Sequence, residues 1–386
     1  MTQPEILFNR ARVEGSELEY VRQSIESGQT SSGGPFAKRS RQVLSSELGG
    51  SSEVLLTTSC TAALEMSALL LDIKPGDTVI VPSYTFTSSA LAFAREGAKI
   101  LFCDVEPETL GPDPRHVAEL LDDSVRAVVV VHYAGVAAKI DELQAVLADR
   151  PDIALVEDAA HALFGRWKGK PLGTFGRFAT LSFHATKNIV CGEGGALVVN
   201  EPEDVGRSWV LYDKGTDRQA FFEGLVDKYS WRDTGSSFGL ADTLAAYLYG
   251  QLEQREKIQG LRKRIFDGYL EALTPYADDL GLRLPVVPEG CDPAYHLFHV
   301  VLPASSSRAG VMAELRHQGV HTAFHYVPLH ESEAGRRFAA RPTDCPVSLE
   351  LGAKLLRLPF HNGLTEDEVQ RAARALVTAI HAERRS

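Results

Sequence analysis

The amino-acid sequence predicts an α/β protein in two parts, a doubly wound domain around a mostly parallel sheet followed by a smaller α+β domain. Three observations carry this. Seven short segments between residues 53 and 200 are apolar on both faces, as strands are when helices cover a parallel sheet on either side. Helical patterns separate them, which gives the β-α alternation of right-handed crossovers. From about residue 241 the alternation stops and the pattern becomes mixed. We place the boundary near residue 250, with a large domain and its N-terminal arm at 1–250 and a small domain at 251–386.

The strands are EVLLT (53–57), DTVIVP (77–82), AKILFCD (98–104), RAVVVVH (126–132), DIALVED (152–158), FATLSF (178–183) and GALVVN (195–200), rich in β-branched or aromatic residues. Between them, TAALEMSALLL (61–71), TSSALAFAREG (87–97) and IDELQAVLADR (140–150) read as helices. Leu244, Leu248, Leu252, Ile258, Leu261, Ile265 and Tyr269 keep helical spacing, predicting one long helix, or two joined end to end, that stops at Pro275. The small domain then offers HLFHVVLP (296–303), a helix in AGVMAELRHQG (309–319), and HTAFHYV (321–327). A last helix opens near Thr365 with Glu366 and Glu368 in its first turn, where carboxylates favour the helix dipole.

Composition excludes several classes. A formal charge of −11 and a pI near 5.6 give no basic field, so neither nucleic acid nor an anionic membrane is expected as a partner. The opening MTQPEILFNRARVEG has no apolar core of a signal peptide, and the longest apolar run, 125–138, is too short to span a bilayer and contains His132. Five scattered cysteines without CxxC spacing argue against a disulfide framework and against a zinc site. A soluble cytoplasmic protein without a metal is the expectation.

Chemistry concentrates at SFHATKN (182–188), followed by CGEGG (191–195). A lysine at a strand end is by itself an ordinary solvated side chain. Lys187, however, shares its sheet edge with other signals. Asp158 ends IALVED, and ligands of open α/β sheets sit at the carboxyl ends of strands. TTSCTAALEM runs from a strand into a helix, with Ser59, Cys60 and Thr61 at its start. That is either an ordinary N-cap or an anion site. Phe86 in SYTF follows the next strand, where it either packs in the core or stacks on a flat ligand. Together these features suit a flat cationic heterocycle bearing a phosphate and an aldehyde. Pyridoxal phosphate has those parts, and a lysine can hold its aldehyde as a Schiff base.

EDAAHA (157–162), SFHATKN, EGG (193–195), PSYTF (82–86), HYVPLH (325–330) and LPFHNGLTEDEV (358–369) occur in an order and spacing that resemble the DegT/DnrJ/EryC1/StrS sugar aminotransferases over nearly the whole chain. The resemblance implies the type I aminotransferase fold with pyridoxal phosphate as cofactor, pyridoxamine phosphate as its alternate form, and a homodimer with shared active sites. It assigns Lys187 to the aldehyde and Asp158 to the pyridine nitrogen. By the same resemblance His161 lies near the phenolic oxygen, Phe86 stacks on the ring, and Ser182 and the 59–61 turn hold the phosphate. Much of the family carries asparagine where this chain has Ser237, in the segment that reaches the neighbouring subunit's phosphate. VDKYSWRDTGSS (226–237), LLTTSCTAALEMSALLLDIKPGD (55–77) and VVHYAGVA (130–137) are most similar to the branch that aminates C4 of dTDP-4-keto-6-deoxyglucose, with L-glutamate as donor. The product would be a dTDP-4-amino-4,6-dideoxyhexose of galacto or gluco configuration.

UDP- or GDP-linked ketosugars, amination at C3, and an inosose are the alternatives within that family. A related branch removes a sugar hydroxyl, but it has histidine where this chain has Lys187. A non-catalytic regulator of the same fold is a further alternative, opposed by the intact lysine and aspartate. His325, Tyr326 and His330 are candidates for sugar contacts or are structural. Lys214 and Arg218 either meet a nucleotide diphosphate or face water.

Overall fold

The computed structural model describes residues 4–384; the first three residues of the N-terminal stretch and the last two of the chain lie outside it. All seven expected strands form one sheet. They are β1 (Glu53–Thr57), β2 (Thr78–Pro82), β3 (Lys99–Cys103), β4 (Val125–Val131), β5 (Ala154–Asp158), β6 (Phe178–Ser182) and β7 (Gly195–Val199), in the order β1-β7-β6-β5-β4-β2-β3. The pairs from β3 to β6 are parallel, and only β7, wedged between β1 and β6, runs the other way. Six strands therefore point their carboxyl ends to one edge, where β7 begins.

Alternation along β5 sends neighbouring acids to opposite faces. Glu157 is fully buried away from the edge. It accepts from His132 Nε2 at 2.9 Å and from the amides of Gly173, Phe175 and Gly176 at 2.6–2.8 Å. Burial pushes its carboxyl up, but His132 and the loop amides outweigh that and hold it below the usual range. The loop feeding β6 is thereby pinned, and Asp158 is left facing the edge.

The helix after β1 spans Cys60–Leu70 and is capped by Ser59, whose hydroxyl accepts from the Ala62 amide. Its fit depends on Gly195. A Cβ there would lie 2.4 Å from both the Cys60 nitrogen and the Ser59 carbonyl carbon, so only glycine lets β7 start against this turn.

After the sheet, two helices, Asp242–Glu253 and Arg255–Leu280, are joined end to end at Gln254. The second runs past Pro275, against expectation. Leu280 and Leu282 are buried in the same apolar cluster as Leu273, and Gly281, at φ 61°, supplies the left-handed stop instead. Packing of that last turn outweighs the lost proline hydrogen bond. Beyond it, three short strands, β8 (His299–Val301), β9 (Ala323–Phe324) and β10 (Leu355–Arg357), form a second sheet with β10 in the middle. The segment 321–327 thus contributes two strand residues, and His325 and Tyr326 follow them. The last helix, Glu366–Glu383, opens with a reciprocal capping box between Thr365 and Glu368. The helices Glu17–Glu26 and Pro35–Glu47 of the N-terminal region were not read from the sequence.

Candidate active site

The common edge of the large sheet opens into a cavity of about 610 Å³, bounded on its far side by residues of the second sheet. Ser59, Cys60 and Thr61 after β1, Phe86 after β2, Asp158 at the end of β5, His161, Ser182 at the end of β6, and Lys187 all line it. So do His325 and Tyr326.

Lys187 sits on the loop between β6 and β7. Its amide bonds to the His184 carbonyl at 2.9 Å, and the Phe183 and Ala185 amides reach the glycine-rich return at Gly194 and Gly192. The lysine is thus held by backbone while its amine stays in the cavity. Burial pulls that amine below the ordinary lysine value, opposed by Cys60 and Asp158. A larger neutral fraction makes it a better nucleophile and base.

Asp158 is buried, and among the described residues no cationic side chain bonds to it; its oxygens accept from Ser89 Oγ at 2.7 Å and the Ala160 amide at 3.2 Å. A carboxylate so placed suits a protonated ring nitrogen. The thiol of Cys60, a half-buried cavity residue, is pushed up to about 12 by desolvation and by Asp158, which keeps it neutral. At the mouth of the helix Cys60–Leu70, Thr61 and Ser88 share a hydroxyl hydrogen bond of 2.7 Å. Two hydroxyls and the free amides of a helix start could seat a phosphate. The donor set therefore fits pyridoxal phosphate.

His161 accepts from the Ala134 amide through Nδ1 at 3.3 Å. Burial holds it well below its ordinary pKa, so the ring is neutral and carries its proton on Nε2. It stacks on His296 with centroids 4.1 Å apart and 21° between planes. His296 in turn is fixed by Asn188 Oδ1 at 2.7 Å, since the Asn188 amide nitrogen is committed to the Ala294 carbonyl. His325 is fixed on three sides. It stacks on Tyr326 at 3.9 Å, its Nδ1 meets the Tyr133 hydroxyl at 3.1 Å, and its carbonyl accepts from Tyr84.

Four candidates lie outside the cavity. His330 is turned to Ser83 Oγ at 2.5 Å, behind the end of β2. Lys214 and Arg218 both pair with Asp213 on the surface. Ser237 is exposed and bridges to Asp213 along the backbone. Conversely, the cavity contains residues the sequence did not single out, among them Phe8, Asn9, Ser88, His296 and Arg357. The Asn9 amide donates to the Ala185 carbonyl at 3.3 Å, so the N-terminal arm braces the lysine loop.

Comparison with known proteins agrees with this chemistry. The profile of the DegT/DnrJ/EryC1/StrS aminotransferase family matches residues 12–377. A dTDP-4-dehydro-2,3,6-trideoxy-D-glucose 4-aminotransferase from Saccharopolyspora spinosa is 31% identical over 86% of this chain and 86% of its own. Among solved structures, the aminotransferase TlmJ from Streptoalloteichus hindustanus is 30% identical, with a TM-score of 0.88 over 98% of this chain and 99% of that one. The S. venezuelae protein DesV, solved in complex with a ketimine intermediate, is 28% identical, with a TM-score of 0.87 over 98% and 99%. The large sheet with its smaller partner is accordingly the type I aminotransferase fold. The chain belongs to the DegT/DnrJ/EryC1/StrS aminotransferase family and is an aminotransferase that uses pyridoxal phosphate.

Proposed function

We propose that this aminotransferase moves the amino group of L-glutamate to C4 of a dTDP-4-keto-6-deoxyhexose. Bound pyridoxal phosphate supplies an aldehyde that takes up the amino group and a protonated ring that draws electrons from the reacting carbon. Asp158 would keep the ring nitrogen protonated, and Thr61, Ser88, Ser182 and the 59–61 backbone would hold the phosphate. His161 would offer its Nε2 proton to the phenolic oxygen, and Phe86 would cover one ring face. The Lys187 amine, held in the cavity, would remove the proton from the donor's α-carbon and later return one to C4 of the sugar. The observation that carries this reading is the poised Lys187 amine in the same enclosed cavity as the unpaired Asp158 carboxylate.

The preference for a dTDP sugar rests on the relative from Saccharopolyspora spinosa and on the segments 55–66 and 226–237. The enzyme acts as a homodimer whose 231–238 segment reaches the partner's site. Exposed Phe222 and Leu225 before that segment and Trp231 at its start favour a second copy covering it; Trp231 is 83% exposed. Incubating the pyridoxamine phosphate form with a panel of nucleotide ketosugars tests the substrate. Turnover only with UDP- or GDP-sugars, or with an inosose, would refute the dTDP assignment.

A further inference from the structure

We infer that His296 is the acceptor for the hydroxyl beside the sugar's reacting carbonyl, so that the enzyme selects ketosugars with that hydroxyl in place. The inference rests on a 4-keto-6-deoxyhexose being the acceptor substrate, and it names the feature of that sugar which the site reads. His296 lines the cavity with Lys187 and His161 and is only 6% exposed. Backbone fixes it from both sides: its amide donates to the Ala134 carbonyl at 3.1 Å, and its own carbonyl accepts from the Arg262 guanidinium. Ala134, at φ 57°, occupies the left-handed region that alanine rarely adopts, and its amide is the one that meets His161 Nδ1. One strained residue thus holds both stacked rings, which marks the pair as more than core filling.

The ring is fixed as firmly as its backbone. Asn188 Nδ2 donates to the Ala294 carbonyl at 2.6 Å and, more loosely, to Gln259 Oε1 at 3.4 Å, so both its hydrogens are used and its oxygen faces His296 Nδ1 at 2.7 Å. An amide oxygen only accepts, so Nδ1 carries the ring proton. Burial, reinforced by His161 and Lys187, holds the ring well below its ordinary pKa, which leaves Nε2 a bare lone pair. Among the described residues no hydrogen bond reaches that nitrogen. A buried acceptor without a donor is costly, so His296 awaits a proton donor from a ligand. His161 offers the cavity a proton, and its stacked neighbour offers a lone pair.

Position decides which donor. The phenolic oxygen and the aldehyde of pyridoxal phosphate sit on neighbouring ring carbons. With His161 at the first and Lys187 at the second, a ring stacked 4.1 Å from His161 and within reach of the Lys187 charge borders the reacting carbon. On L-glutamate that carbon is flanked by a carboxylate and a methylene, neither of which donates a proton. On a 4-keto-6-deoxyhexose it is flanked by C5, which carries the methyl group and the ring oxygen, and by C3, which carries a hydroxyl. The C3 hydroxyl is the donor that fits. Asn188, next to Lys187 in the chain, acts through His296 as a positioning residue, because its oxygen sets which ring nitrogen stays bare.

Single-turnover reaction of the pyridoxamine phosphate form with dTDP-4-keto-6-deoxyglucose and with its 3-deoxy analogue tests this. The analogue strands a buried acceptor, so the wild type should favour the hydroxylated sugar by about 10- to 100-fold. Calorimetry of the same form with the two corresponding 4-amino sugars, which do not react with it, reads binding alone and should show a preference of the same sign. His296→Phe keeps a stacked ring without the lone pair, and adding Asn188→Leu avoids stranding the Asn188 oxygen. In both variants the preference should fall below about 3-fold. A wild-type preference below about 3-fold overturns the proposal whatever the variants do, and so does a preference that survives in the double variant. Slower reaction with L-glutamate alone, at unchanged sugar preference, overturns it by giving the lone pair to Lys187. If the wild type refuses dTDP-sugars but aminates a UDP-ketosugar with the same hydroxyl preference, lost in His296→Phe, the dTDP assignment fails and this inference stands.

Discussion

Gly195→Ala tests the geometry of the turn after β1 directly. The added methyl would meet the Cys60 nitrogen and the Ser59 carbonyl carbon at 2.4 Å and the Ser59 carbonyl oxygen at 2.7 Å. These are backbone atoms of the 59–61 turn proposed to seat the phosphate, so no side chain can swing aside. Restoring ordinary contact requires a shift of about 1 Å in either β7 or the turn, and overpacking of this kind costs about 1–3 kcal/mol. If the turn yields, the phosphate seat opens and cofactor affinity falls by about 5- to 150-fold. Gly192→Ala is the control. Gly192 has φ 93° and open space where its methyl would go, so it pays only backbone strain of about 1 kcal/mol without touching the turn. Titration of the apoenzymes with pyridoxal phosphate, followed by absorbance, compares the two. Equal, near-native cofactor affinity in both variants would refute the close-approach argument.

Three further outcomes follow from the same geometry. Asp158→Asn removes a charge pair worth about 4 kcal/mol at an effective dielectric near 20, so proton abstraction from L-glutamate should slow on the order of 10³-fold while cofactor stays bound; near-normal single-turnover rates would take Asp158 out of its role. His161, His296 and His299 are buried with depressed pKa values, His299 at about 3, so below pH 6.5 the unfolded chain binds protons that the folded chain refuses. Their contribution is present above pH 6.5 and lost as pH falls, by about 1 kcal/mol each between pH 6.5 and 5.5; flat urea midpoints over that range would contradict it. Mixing the Lys187→Ala chain with an inactive Ser237→Trp chain should restore activity in about a quarter of sites, whereas no recovery, or a fully active monomer in sedimentation, speaks against sites shared across a homodimer.

The residues legible in the sequence were those whose position follows from one local element. Asp158 and Ser182 end buried strands, Thr61 opens a helix, and Lys187 precedes a glycine turn, so a sheet-edge rule brought them together before any coordinates. Arg357 escaped because it belongs to a three-residue strand defined only by pairing with segments about 30 and 60 residues away, and LLRLP alone has no period to read. His296 and Asn188 are linked by a hydrogen bond across 108 residues, and Asn9 reaches Ala185 across 176, contacts that local pattern cannot encode. Ser88 was read only as part of a helix, although its spacing to Thr85 and Ser89 places three hydroxyls at one helix start. The helix stop was misplaced at Pro275 for a related reason: the burial of Leu280 and Leu282 comes from the small sheet and the last helix, and tertiary packing carried the helix through.

The central claim is a transfer of nitrogen to C4, and isotope tracing tests it directly. The wild-type enzyme is supplied with pyridoxal phosphate, L-[15N]glutamate and dTDP-4-keto-6-deoxyglucose, and the product is assigned by NMR. The account predicts 15N bonded to C4 with the C3 hydroxyl intact, and no product from the Lys187→Ala enzyme. Nitrogen at C3, or an unlabelled sugar that has lost a hydroxyl, would contradict it.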